Sequence, residues 1–415
     1  MTSRLSAFPI WVGVFLATAA GCDRAADQVT GAGAPLSAPR QAQRNVAATV
    51  LYVTNVEQLY AEVNNPENEA AVITLAPGRY VLSAKNPLGV DRSHGGRLEL
   101  QLDMSLYGVS GDRSAVVIDA TGLDSLSFMK EVSFGRSGAV RIGRGSNTVE
   151  WLTVLGNPAS AAGIAAELTG TATTRIRVAH VVSSGSSRGV DIRNAGAPMI
   201  GRRIEAEIVD NEFIGPTEVQ GMSEGIRVAN FVGADHGIVV ATLSGNRARG
   251  FQLGCIIANN KSSNGVVEVR SSSDRFIGNA LGCLIAGGLN LGSTGVANSN
   301  RTTFEARRSQ FVANRAQIPG IEPGGLRVVG GLAKVKSYAT SDNTVSVTLW
   351  NSVVSGNQVV NLEAFGAWQQ SLTGIAGTNN RVTIELYGAS EHIDVVAMAS
   401  LPVDVNGTNQ LQIIR

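Results

Sequence analysis

The chain is poor in charge, in lysine and in aromatic rings. Only 16% of its 415 residues are charged, and five lysines stand against 29 arginines. The arginines are scattered and the formal net charge is +1, so the electrostatic footprint of a nucleic-acid-binding surface is missing. Aromatics reach 5%, which leaves a core of small aliphatic side chains. A P-loop, a dinucleotide-binding glycine fingerprint and a His-Glu-x-x-His pair are all absent. What is plentiful is glycine, with 48 residues, and hydrophobic residues, at 44%. That balance excludes disorder for most of the chain and favours a turn-rich β fold, elongated if it is one domain.

The N-terminal end reads as an address. One charge, Arg4, precedes an uncharged stretch from Leu5 to Ala20, shorter than the roughly 20 residues that span a bilayer. Residues 1–21 are therefore expected to be an export signal. The stretch ends in Ala19-Ala20-Gly21-Cys22. This resembles the bacterial lipobox, with Ala19 where leucine is usual, and the resemblance implies lipidation at Cys22; ordinary cleavage near Ala-Ala-Gly is the alternative. Residues 22–48, rich in Ala, Gly, Gln and Pro, are expected to form a flexible tether, and 49–415 a single folded domain.

Within 49–415 a turn signature recurs. It reads Val154-Leu155-Gly156-Asn157, Phe213-Ile214-Gly215-Pro216, Leu243-Ser244-Gly245-Asn246, Phe276-Ile277-Gly278-Asn279, Phe311-Val312-Ala313-Asn314 and Val354-Ser355-Gly356-Asn357, with a weaker copy at Val182. After each anchor comes a Gly-led alternating strand: Gly163-Ile164, Gly189-Val190, Gly225-Ile226, Gly254-Cys255, Gly282-Cys283 and Gly325-Leu326, with Asn361-Leu362 as a variant. Before most anchors lies a third alternating segment, such as Ile204–Ile208, Val267–Arg270 and Val345–Leu349, and Val382–Leu386 repeats it near the C-terminus. Period-2 alternation predicts strands with one buried face, and no unit holds a ten-residue helical pattern. A unit of about 33 residues with three short strands cannot bury its apolar face alone, so the units must stack into a solenoid.

On these repeats the chain resembles right-handed parallel β-helix proteins of the pectin-lyase-like superfamily. The entry region strengthens the likeness: an amphipathic segment Thr54–Val63, then Ile73-Thr74-Leu75-Ala76-Pro77-Gly78-Arg79-Tyr80, then Leu106-Tyr107-Gly108. The resemblance covers roughly 49–400 and implies an all-β right-handed parallel β-helix with an N-terminal capping helix. It does not imply an activity, because such folds host many functions.

The register makes further expectations specific. Cys255 and Cys283 occupy equivalent positions, ~4.8 Å apart if stacked, either as buried thiols or as a disulfide. Ile192, Val228, Ile257, Ile285 and Val328 should form one buried stack, so Val228→Asp should destabilise severely and Arg227→Ala hardly at all. Between these inward residues runs an outward ridge of Ala165, Asp191, Arg227, Ile256, Leu284, Arg327 and Glu363. Asp191, Arg227, Arg327 and Glu363 are the candidate substrate-binding residues, for an acidic polysaccharide; a solvated face is the alternative. Ile256 and Leu284 suggest a covering loop or a partner. Asp210, Glu212, Glu224 and Asp274 are either an acidic site or turn-capping residues. The loop Asp91–Arg97 has mixed chemistry.

No polygalacturonase-like Asp-Asp pair or Gly-His-Gly and no lyase-like acidic cluster beside a lysine is present. No catalytic residue is therefore assigned, and no metal or cofactor is expected. The functional expectation is a cell-envelope or secreted protein that binds or processes a polysaccharide, touching membrane only through a lipid on Cys22. Any enzyme activity would be that of a polysaccharide lyase or glycoside hydrolase. The alternative is a non-catalytic surface scaffold or adhesin-like protein.

Overall fold

The computed structural model describes residues 49–130, 137–160, 162–168, 173–195, 202–218, 222–290, 296–315, 323–333, 340–369, 377–401 and 408–415. Cys22, the expected export signal and the expected tether lie outside them. Among the described residues no helix is long and apolar enough to cross a membrane.

The fold is an all-β, right-handed parallel β-helix. Three parallel sheets of twelve, nine and ten strands run its length. One coil passes through all three: Arg203–Val209 in the twelve-stranded sheet, Glu212–Ile214 in the nine-stranded sheet and Glu224–Asn230 in the ten-stranded sheet. The next coil repeats this with Ile238–Ser244, Arg247–Arg249 and Leu253–Asn260. The Gly-led strands make up the ten-stranded sheet, and the segments before the anchors lie in the twelve-stranded sheet.

One anchor belongs elsewhere. Phe213 pairs with Ala248, not with Leu243, which pairs with Ile208 in the twelve-stranded sheet. Leu243-Ser244-Gly245-Asn246 imitates the anchor because this corner carries the same pair as the anchor Gly278-Asn279, a glycine with positive φ and then a buried Asn.

Those amides form ladders. Asn246 Oδ1 accepts from the backbone N–H and the side-chain amide of Asn211, at 3.1 and 2.9 Å. Asn314 does the same for Asn279, and Asn357 for Asn314. Asn300, Asn343, Asn380 and Asn409 form a third ladder. Each ladder meets the hydrogen-bonding needs of backbone that turns inside the core, where an unpaired amide is costly.

Inside the coils runs one apolar column. Ile192, Val228, Ile257, Ile285 and Val328 are register partners, each 0% exposed, as the alternation required. Cys255 and Cys283 pair in the same sheet as free buried thiols. The amphipathic N-terminal segment is a helix, Val56–Asn64; the Asn55 side chain accepts from the Gln58 N–H at its start, and Leu59, Tyr60 and Val63 are buried.

Candidate functional site

The outward ridge is a single ladder across the ten-stranded sheet. Glu99 pairs with Arg141, Arg141 with Ala165, Ala165 with Asp191, Asp191 with Arg227 and Arg227 with Ile256. It continues through Leu284, Arg327 and Glu363 to Val396. The ridge register is thus as the alternation implied, and it starts two rungs earlier, at Glu99 and Arg141.

Its exposure differs from expectation. Asp191 is 1% exposed, Arg227 7% and Arg327 4%, and Glu363 is half-buried. Ile256 and Leu284 are also buried, in a second apolar cluster with Leu253, Leu281, Val329 and Phe365. Alternation tells which side of the sheet a residue takes, but not whether that side meets water.

Three ionic groups sit on this face: Glu99 with Arg141, 2.7 Å apart, at its start, and two more separated by the Ile256 and Leu284 rungs. In the larger, the Arg227 Nη2 donates to Glu224 Oε1 at 2.6 Å, and the Arg188 Nε to Glu224 Oε2 at 2.8 Å. Asp191 lies among three guanidiniums, 3.6 Å from Arg188, 3.5 Å from Arg193 and 4.0 Å from Arg227. Arg193 and Arg227 both lie over the Phe231 ring. In the smaller group, Arg327 donates to Glu363 at 2.6 Å and lies over the Trp368 ring.

The electrostatics follow from burial and pairing. Burial alone would raise the Asp191 carboxyl, but Arg193, Arg227 and Arg188 overcome it and hold it below the usual carboxylate range. Burial likewise opposes ionisation of Glu224, and Arg227 and Arg188 reverse the balance. Burial lowers Arg188, helped by the nearby Arg227 charge. Arg227 is raised: burial pulls it down, and Glu224 and Asp191 outweigh that. All four are charged at neutral pH. A general acid needs a carboxyl held protonated, and neither carboxyl here is.

Asp191 stands out within the cluster. Its charge is balanced, yet neither of its oxygens accepts a hydrogen bond. A buried carboxylate normally fills its acceptor positions.

Part of this cluster was legible in the repeats. Arg188 and Glu224 precede the glycine of successive Gly-led strands and are register partners. Arg193 falls two residues after Asp191, on the same face by period 2. The four acidic residues at successive turns are separated instead of gathered. Asp274 is in the core and Glu224 is on the ten-stranded sheet, while Asp210 and Glu212 line a surface cleft. The Asp91–Arg97 loop ties into the fold, its buried Arg97 donating to the His94 and Lys130 carbonyls. Among the described residues no group of three His, Cys, Asp or Glu side chains is placed to hold a metal ion.

No protein-family model matches the chain, and no curated protein matches it in sequence. Among solved structures it is similar to the A-module of the Azotobacter vinelandii mannuronan C-5 epimerase AlgE4, at 15% identity, TM-score 0.46, over 87% of this chain and 94% of that one. The A-module of AlgE6 from the same organism gives 13%, 0.37, 86% and 92%. A mutant of the periplasmic alginate epimerase AlgG gives 12%, 0.37, 88% and 82%.

Proposed function

We propose that this is an extracytoplasmic member of the pectin-lyase-like superfamily that binds an acidic polysaccharide along the outer face of its ten-stranded sheet. The observation that carries the reading is Asp191. It is an ionised, buried carboxylate whose acceptor positions are unfilled. Both oxygens are closed to solvent in this structure, so the face has to open before a hydroxyl-rich chain supplies the donors they lack; charge-assisted hydrogen bonds of that kind are the strong ones. The ladder beside it is rich in guanidiniums, whose planar fork suits a uronate carboxylate. Its rungs recur every ~4.8 Å, so an extended polymer laid along the axis meets them in succession. The cluster holds no protonated carboxyl to serve as a glycoside hydrolase's general acid. The address is part of the same proposal: export through residues 1–21, a lipid on Cys22 and a tether to residue 48.

Calorimetric titration with alginate oligomers and with neutral oligomers of equal length tests the reading, comparing wild type with Asp191→Asn. Removing a negative charge should by itself tighten binding of a polyanion. A fall of fivefold or more in the variant, with folding retained, therefore marks hydroxyl recognition by Asp191. Unchanged or tighter binding removes the residue from the site and favours the scaffold reading. New unsaturated or reducing ends from the wild type would show processing in place of binding.

A further inference from the structure

The corners between the twelve- and nine-stranded sheets are built to one rule. Two residues join Glu150 to Thr153, Ala179 to Val182, Val209 to Glu212 and Ser244 to Arg247. The first of each pair has positive φ, where glycine or a short polar residue costs least. At two successive corners that position carries large rings, Trp151 at φ 58° and His180 at φ 55°. They stack on each other with centroids 3.9 Å apart and planes 15° from parallel. Backbone strain under bulky side chains is tolerated where something depends on the side chain.

The corner just before these breaks the rule. Eight residues, 108–115, separate Tyr107 from Val116. This loop is braced: Asp112 accepts from the Ser114 N–H and hydroxyl at 2.9 and 2.6 Å, and the Thr153 hydroxyl donates to the Arg113 carbonyl at 2.8 Å. Arg113 consequently reaches across later coils to lie 3.7 Å from Glu212, and its Nη1 donates to the Asp210 carbonyl at 3.4 Å. Loop and corners enclose a cleft of about 440 Å³, lined by Trp151, His180, Arg113, Asp210, Glu212 and Arg247.

The lining decides the ligand class. Two guanidiniums and two carboxylates line it, and Glu212 also accepts from the Arg249 Nε at 3.3 Å, so a net anion meets Asp210 and Glu212, and a net cation meets Arg113, Arg247 and Arg249. A neutral molecule bearing many hydroxyls satisfies both sets, because planar guanidinium and carboxylate groups each bridge neighbouring hydroxyls. The stacked rings give it an apolar wall, in keeping with pockets that combine aromatic surface with a few placed polar groups. We infer that this corner cleft is a second binding site, for a neutral saccharide, separate from the face that carries Asp191.

The test is a titration of the full protein, labelled with 5-fluorotryptophan, against neutral gluco-, galacto-, manno- and N-acetylhexosamine oligosaccharides, read by fluorine NMR. The Trp151 resonance is assigned by its loss in Trp151→Asn. We expect at least one oligosaccharide to shift it, with affinity tenfold or more weaker in Arg113→Ala. Trp151→Asn should abolish the binding without lowering the unfolding midpoint, since Asn adopts positive φ more readily than Trp. If no neutral oligosaccharide shifts the Trp151 resonance, the inference fails. It also fails if Trp151→Asn destabilises the fold while binding persists, which would make the stacked pair a packing device. Alginate binding to the Asp191 face is measured in the same variants and should not change, so the two sites stand or fall separately.

Discussion

Asp274 Oδ1 accepts from both the backbone N–H and the side-chain amide of Asn246, at 2.8 and 2.9 Å, as the top rung of the Asn211–Asn246 ladder. Its other oxygen accepts from the Ser271 hydroxyl at 2.6 Å. The position asks for an amide, and an acid occupies it.

Burial pushes the Asp274 carboxyl up to about 6, against the opposing hydrogen bonds from Ser271 and Asn246. The folded state therefore holds its proton over a pH range in which the unfolded chain has released it. The sign follows: this group lowers stability as pH rises from about 4 through about 6, and the loss persists above. Asp274→Asn should remove it, stabilising the protein by about 3 kcal/mol at pH 8 and by little below pH 4. Asn keeps the Oδ1 acceptor, and Ser271 can turn to accept from the new amide. Urea unfolding of both proteins at several pH values checks this; equal stability at pH 8 would contradict it.

Arg227→Ala should be costly, contrary to the expectation from alternation alone. Arg227 is buried and donates to Glu224, itself 0% exposed. Removing one partner of a buried pair costs about 3–5 kcal/mol. Val228→Asp, in the core stack next door, should be at least as severe, since no partner waits for the new charge. Denaturant midpoints for the two variants should both fall sharply; an unaltered Arg227→Ala midpoint would show the cluster to be dispensable for folding.

Two glycine replacements should separate steric from backbone cost. A Cβ at Gly215 would lie 2.1 Å from the Gly250 carbonyl oxygen, which belongs to a neighbouring coil. A Cβ at Gly278 meets nothing within 4 Å, but φ there is +68°. Gly278→Ala should cost about 1–2 kcal/mol from conformation alone, and Gly215→Ala clearly more, by thermal unfolding. A reversed order would mean the coils are not packed this closely.

The thiols of Cys255 and Cys283 are both 0% exposed, and burial pushes the Cys255 thiol well up. In a Cys22→Ser background, neither should react with iodoacetamide at pH 8 until urea unfolds the protein. Mass spectrometry gives the count; modification of the native protein would place the pair outside the core.

Much was legible from local pattern. Period-2 alternation placed Val228 inward and Arg227 outward, and glycine spacing put Asp191, Arg227, Arg327 and Glu363 on one ladder. Both follow because a strand reverses side at every residue and coils stack in register. Three things depended on the whole fold. Whether the outer face of the ten-stranded sheet meets water is a matter of what packs over it, so Asp191 and Arg227 are buried although they point away from the core. Which corner a Gly-Asn turn serves depends on register across coils, so Leu243-Ser244-Gly245-Asn246 has the anchor's pattern although it turns a different corner. And Arg113 comes to Asp210, 97 residues away in sequence, only because the coils stack and the loop 108–115 crosses the intervening corners.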